Sequence, residues 1–173
     1  MPHAMSRGTQ QSHRNWSMRY TFIPMRWRDA RAVARWRYDG IYAFYNVGFV
    51  SLLVVMLTQQ ALRLFGSAFY FSVLEADGAL AGIFSFVRHS DTLEVGLGMR
   101  PDRTGHGEGL AFVLAGLEFA RQRFNPRGFR LNVVTFNERA RKVYQRAGFT
   151  PVRTFTRWTN GRPYEHLEMA RDA

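Results

Sequence analysis

Along this chain the spacing of apolar residues switches between two and three-to-four, and each switch marks an element. MRYTFIP, Met18 to Pro24, alternates as a strand does and stops at a proline. RWRDARAVARWRY, Arg26 to Tyr38, sets Ala30, Val33, Ala34 and Arg37 on one helical face, with Trp27 and Trp36 beside it. The run DGIYAFYN is dense in aromatics, and from Val47 to Phe65 the pattern predicts another helix. At Ala68 the period shortens. AFYFSVLEADGALAGIFSFVRHS reads as two strands joined by Asp77-Gly78, a dipeptide suited to a hairpin turn. In the next strand, TLEVGLGMRP, residues Leu93, Val95, Leu97 and Met99 share one face and Glu94, Gly96 and Gly98 the other.

Helical spacing returns after Gly109, through Leu110, Val113, Leu114 and Leu117, and fades near Asn125 to Gly128. FRLNVVTF, Phe129 to Phe136, is apolar on nearly both faces, as an interior strand would be. NERARKVYQRAG carries its own boundaries, Asn137 as N-cap and Gly148 just past the last turn. Its apolar stripe is Ala140, Val143, Tyr144 and Ala147. TPVRTFTRW and PYEHLEMAR alternate around Asn160-Gly161, a second hairpin signal. The order predicts an α/β (α+β) fold: one mixed, mostly antiparallel twisted sheet with helices on both faces.

With 173 residues the chain fits one domain, residues 18–173, behind a polar tail over residues 1–17 that is expected to be disordered. The net charge of +11 comes almost wholly from arginine, Lys142 being the lone lysine. Such a field favours anionic partners. The arginines are dispersed rather than gathered in a stripe with interleaved aromatics, which disfavours a nucleic-acid-binding domain. With no cysteine there is no disulfide and no thiolate metal site or nucleophile, and no metal is expected. The longest apolar run, Val47 to Leu57, is too short to span a bilayer. A cytoplasmic protein without membrane association is the expectation.

The chemistry concentrates in RPDRTGHGEGLAFVLAGLEFA, where Gly105, Gly107 and Gly109 precede a helix. A helix N-terminus presents free N–H groups and partial positive charge, and glycines let a phosphate approach the backbone. No Lys-Ser/Thr pair follows these glycines and the spacing is GxGxG, which excludes a P-loop and argues against the dinucleotide fingerprint. LGMRPDRTGHGEG resembles the acetyl-CoA motif of the GNAT superfamily of N-acyltransferases, usually Q/R-x-x-G-x-G/A. Thr104 stands where Gln or Arg is usual, and Gly107 and Gly109 match the small positions. NERARKVYQRAGF resembles the second family motif, with Asn137, Ala140, Tyr144, Gly148 and Phe149 matching.

The resemblance implies acetyl transfer from acetyl-CoA to a primary amine of a small molecule or peptide, by direct transfer in a ternary complex. The alternatives are a non-catalytic acyl-CoA-binding regulatory module or a basic nucleic-acid-binding domain. The resemblance places pyrophosphate on Thr104, Gly105, His106, Gly107, Glu108 and Gly109, and pantetheine beside Leu97, Gly98 and Met99 and near Asn137 and Ala140. The carbonyl oxygen would meet a backbone N–H of Leu97 or Gly98. Tyr144 is the expected acid for the leaving thiolate. Glu94, on the glycine face, is the expected base, with His89 as a weaker candidate. Trp36, Tyr38, Tyr42, Tyr45, Trp158 and Tyr164 offer an aromatic acceptor pocket in which Arg37 or Arg88 would hold a carboxylate. His166 is expected at the surface. Dimers are common in the family, so a homodimer is compatible with the chain.

Overall fold

The computed structural model describes residues 19–46 and 68–173. The helix expected over Val47–Phe65 and the tail 1–17 lie outside the described residues. The elements are β1 (Thr21–Pro24), α1 (Trp27–Val33), a 3-10 turn (Gly40–Tyr45), β2 (Ala68–Leu74), β3 (Leu80–His89), β4 (Thr92–Met99), a short 3-10 turn (Pro101–Arg103), α2 (Gly109–Phe124), β5 (Gly128–Val134), α3 (Glu138–Arg146), β6 (Thr150–Thr159) and β7 (Arg162–Asp172). The seven strands form one sheet in the order β1-β2-β3-β4-β5-β7-β6. Every neighbouring pair is antiparallel except β4 and β5.

The punctuation acts as its residues dictate. Asn125 takes a left-handed conformation, φ 46°, and ends α2 with its N–H on the Arg121 carbonyl. Asn160 and Gly161 both have positive φ, the requirement of a two-residue hairpin turn. At Asp77-Gly78 only Gly78 is positive, and a longer turn closes with Glu75 N–H on the Ala79 carbonyl. The expected helix from Arg26 stops early, with Ala34 as its C-cap. Beyond it, both backbone groups of Tyr38 bond the side chain of Asn46, and the Tyr38 hydroxyl donates to the Met99 carbonyl at 2.8 Å. These long-range bonds fold the segment into the aromatic 3-10 turn, overriding its local helical spacing.

One sheet face packs on α2 and α3 through Phe84, Phe86, Leu93, Val95, Phe112, Leu117, Phe129 and Leu131. Each such large side chain removed from water contributes about 1.5–3 kcal/mol. Two glycines permit this packing. A Cβ on Gly116 of α2 would lie 2.2 Å from the Phe84 ring, and one on Gly82 would lie 2.4 Å from the Phe112 ring. On the opposite face Ala30, Val33 and Ala34 of α1 pack with Met25, Tyr70 and Ile83. No helix among the described residues is long and apolar enough to cross a membrane.

Candidate active site

The parallel pair sets the position of the site. β4 and β5 pair only at Thr92/Gly128, Leu93/Phe129 and Glu94/Arg130. From Val95 onward the two strands part, while β4 stays paired to β3 without a bulge as far as Met99. The wedge holds a cavity of about 510 Å³, walled by Val95 to Met99 of β4 and by Asn132 and Val133 of β5. Thr104, Gly105, Gly107 and Gly109 line it where α2 begins, and Asn137, Ala140, Val143 and Tyr144 line it from α3. Trp36, Tyr38, Tyr42 and Tyr45 close the aromatic side.

The glycine loop leaves open space before the start of α2. Gly105 and Gly107 have φ of +88° and +79°, and a Cβ on either would meet no protein atom within 4 Å. A side chain there would stand in open space before the helix N-terminus. Gly109 serves packing instead, since its Cβ would come within 3.3 Å of Val143 and α3 would have to give by a few tenths of an ångström. Thr104 gives its hydroxyl proton to the Pro101 carbonyl at 2.7 Å, so it braces the loop. A free helix start, open glycines and an adjoining apolar wedge fit a pyrophosphate followed by a slender pantetheine arm.

The Tyr144 phenol lies in the cavity wall, and burial pushes its pKa well above the ordinary value, with the neighbouring Tyr45 phenol adding to the rise. It is therefore protonated at any working pH. Its hydroxyl takes no hydrogen-bond partner among the described residues, which leaves it free for one in the cavity. Asn137 is buried and committed at both ends: its oxygen caps α3 on Ala140 N–H at 3.1 Å, and its amide donates to the Tyr45 hydroxyl at 2.9 Å. Burial raises the pKa of Tyr45, against the opposing effect of that bond. Tyr38, pushed up to about 12 chiefly by burial, pins the end of β4 through Met99.

Residues 19–150 match the model of the acetyltransferase (GNAT) domain. The chain belongs to the GNAT acetyltransferase family. Solved structures sharing the fold include a spermidine N-acetyltransferase from Vibrio cholerae in complex with CoA and spermine, at 16% identity and a TM-score of 0.73, covering 89% of this chain and 95% of that one. The spermidine/spermine N-acetyltransferase of Vibrio cholerae with manganese ions gives 17% and 0.71, covering 91% and 94%. A dodecameric form of the Vibrio cholerae spermidine enzyme gives 17% and 0.70, covering 89% and 94%. No curated protein sequence matches the chain. As in the family at large, the acyl donor of this GNAT domain is acetyl-CoA.

Of the residues singled out from sequence, Leu97, Gly98, Met99, Thr104, Gly105, Gly107, Gly109, Asn137, Ala140, Tyr144, Trp36, Tyr38, Tyr42 and Tyr45 all line the GNAT cavity. Others do not. Glu108 turns away to an ion pair with Arg19, and His106 is exposed outside the lining. Arg88 shares a sheet face with Phe84 and Phe86, so it points toward α2 and bonds the Phe124 carbonyl at 3.2 Å, the negative end of that helix. Arg37 donates to the carbonyls of Ala34 and Trp36. His166 is 6% exposed, stacked on Phe155 under Phe44, which corrects its expected surface position. Tyr164 packs between Phe44 and Phe136, and Trp158 is 74% exposed; neither reaches the cavity.

Glu94 lies on the glycine face as its alternation requires, yet short of the cavity, half-exposed between His89 at 3.3 Å and Asn132 at 3.2 Å. Gly96 is needed for its neighbour as well as for the cavity, since its Cβ would come within 2.3 Å of the Ser85 hydroxyl. Asn132 was not visible as a site residue because it sits in an apolar strand pattern. Because a carboxylate only accepts, the Asn132 amide nitrogen must face Glu94. Arg139 and Arg146, also on the lining, were hidden among the exposed charges of α3.

Proposed function

We propose that this GNAT enzyme acetylates a primary amine by direct transfer from acetyl-CoA. The observation that carries the proposal is the convergence of three features on one cavity: the open glycine loop at the start of α2, the parted β4 and β5, and the protonated, unpartnered Tyr144 hydroxyl. Acetyl-CoA, when bound, supplies an acetyl group activated as a thioester. The chain's own groups do the rest. Backbone N–H groups from Gly105 to Gly109 and the positive end of α2 hold the pyrophosphate. Gly98 keeps the β4 wall thin beside Tyr38. Tyr144 donates its hydroxyl to the departing sulfur, and the proton it passes on is replaced by the one the amine gives up. Glu94, tied to the lining residue Asn132, receives the proton of the amine through solvent. The net change forms one C–N bond, breaks one C–S bond and transfers one proton from nitrogen to sulfur.

The test is release of free thiol from acetyl-CoA in the presence of a panel of amines, with calorimetric titration of acetyl-CoA beside it. Amine-dependent thiol release is expected. Tight acetyl-CoA binding without turnover on any amine would instead favour the non-catalytic acyl-CoA-binding reading.

A further inference from the structure

Building on the proposed N-acetylation, we infer that the acceptor amine also carries a carboxylate, and that Arg139 selects it. The acceptor side of the cavity is aromatic and cationic. Arg139 lies with its guanidinium 4.3 Å from the Tyr42 ring centroid, close enough to Tyr38 to act electrostatically on that phenol. It stands in the first turn of α3, where the helix dipole disfavours a cation. Among the described residues no carboxylate pairs with it. An arginine lying on an aromatic wall, without a counter-ion and against the dipole, is placed to receive a planar anion in two parallel hydrogen bonds.

The same cavity repels polycations. The chain's thirteen Asp and Glu residues all fall among the described residues, and none lines the cavity. Most are tied to a basic partner: Asp29 to Arg26, Glu75 to Arg103, Asp102 to Arg100, and Glu168 to both Arg130 and Arg153. Glu94 reaches the wall only through Asn132. A spermine-like acceptor would leave its remote ammonium groups beside Arg139 with nothing to pair them, in a protein of charge +11. Sharing a fold with spermidine N-acetyltransferases therefore does not by itself bring a polyamine acceptor to this cavity.

The test compares acceptors that differ only in the anion. Phenylalanine and phenethylamine share ring and amine; spermidine supplies the polycation; a short peptide with a free N-terminus and acidic second and third residues separates peptide from free amino acid. Calorimetry on the CoA-loaded protein measures each without requiring turnover, and thiol release adds KM and kcat. A carboxylate-bearing acceptor should bind at least tenfold more tightly than phenethylamine or spermidine. Arg139→Gln should erase that preference and Arg139→Glu should reverse it, with the acetyl-CoA dissociation constant and the melting temperature unchanged. The inference falls if wild type prefers spermidine or phenethylamine. It falls also if Arg139→Gln weakens acetyl-CoA and leaves the amine preference intact, for Arg139 would then serve the cofactor phosphates. Preserved anion-dependent binding without thiol release would overturn the catalytic reading and leave this one standing.

Discussion

The two sides of the cavity are built by different means. On the proposed donor side the working groups are main-chain: the open loop through Gly105 and Gly107, the start of α2 and the flank of β4 that parts from β5. On the proposed acceptor side they are side chains: Trp36, Tyr38, Tyr42, Tyr45 and Arg139, held by bonds that cross the molecule, such as Tyr38 to Met99 and Asn137 to Tyr45. A main-chain site recognises what all donors share, phosphates and amides, and tolerates divergence in everything except its glycines. A side-chain site can be recast one residue at a time. Such a division lets one fold hold a common donor while the acceptor changes.

Substitutions on each side can break or sharpen this contrast. The largest effect is expected from Tyr144→Phe, where the two sides meet: kcat should fall by about 10²–10³, with acetyl-CoA binding by calorimetry changed less than twofold. A wild-type rate would make Tyr144 a packing residue. Next comes Gly107→Val. A β-branched side chain at φ +79° strains the loop and fills the space before α2, so acetyl-CoA affinity should drop tenfold or more. Unchanged affinity would remove the loop from the donor side. Asn137→Ala should cost about 1 kcal/mol through the lost cap, read by denaturant unfolding, and should raise the amine KM because Tyr45 loses its tether. If only stability moves, the tether has no role in the acceptor wall. The smallest effect is expected at Arg88→Ala, where kinetics with any acceptor should match wild type, since Arg88 lies on the α2 face of the sheet.

The residues that converge on the proposed donor side were legible in the sequence because their signals are local. Glycines at GxGxG spacing, an apolar helix behind them, and Asn137 with Tyr144 seven residues on need no knowledge of distant contacts. The strands and their succession along the chain were legible for the same reason, through alternation and the turn residues Gly78 and Gly161. What local pattern missed is set by tertiary geometry. The helix from Arg26 was overextended because the bonds of Tyr38 to Asn46 and Met99 are invisible to periodicity. Glu94 was placed on the right face but at the wrong depth, because the point where β4 and β5 part is a property of the pair. His166 and Arg88 show the same limit: alternation gives a face, and only the packed molecule says what covers it.

The contact of Gly116 with Phe84 has a mechanical consequence. With no side chain at that point, the ring sets how closely the long helix α2 rests on the sheet. Gly116 lies seven residues from Gly109, about 10 Å along the axis at 1.5 Å per residue. A side chain at this seat would lift α2 from the ring and tilt its start, where the glycine loop lies. Gly116→Ala, ordinarily favourable within a helix, should here destabilise by about 1–3 kcal/mol and weaken acetyl-CoA binding from a distance. The donor site's alignment is gauged by the thickness of one aromatic ring.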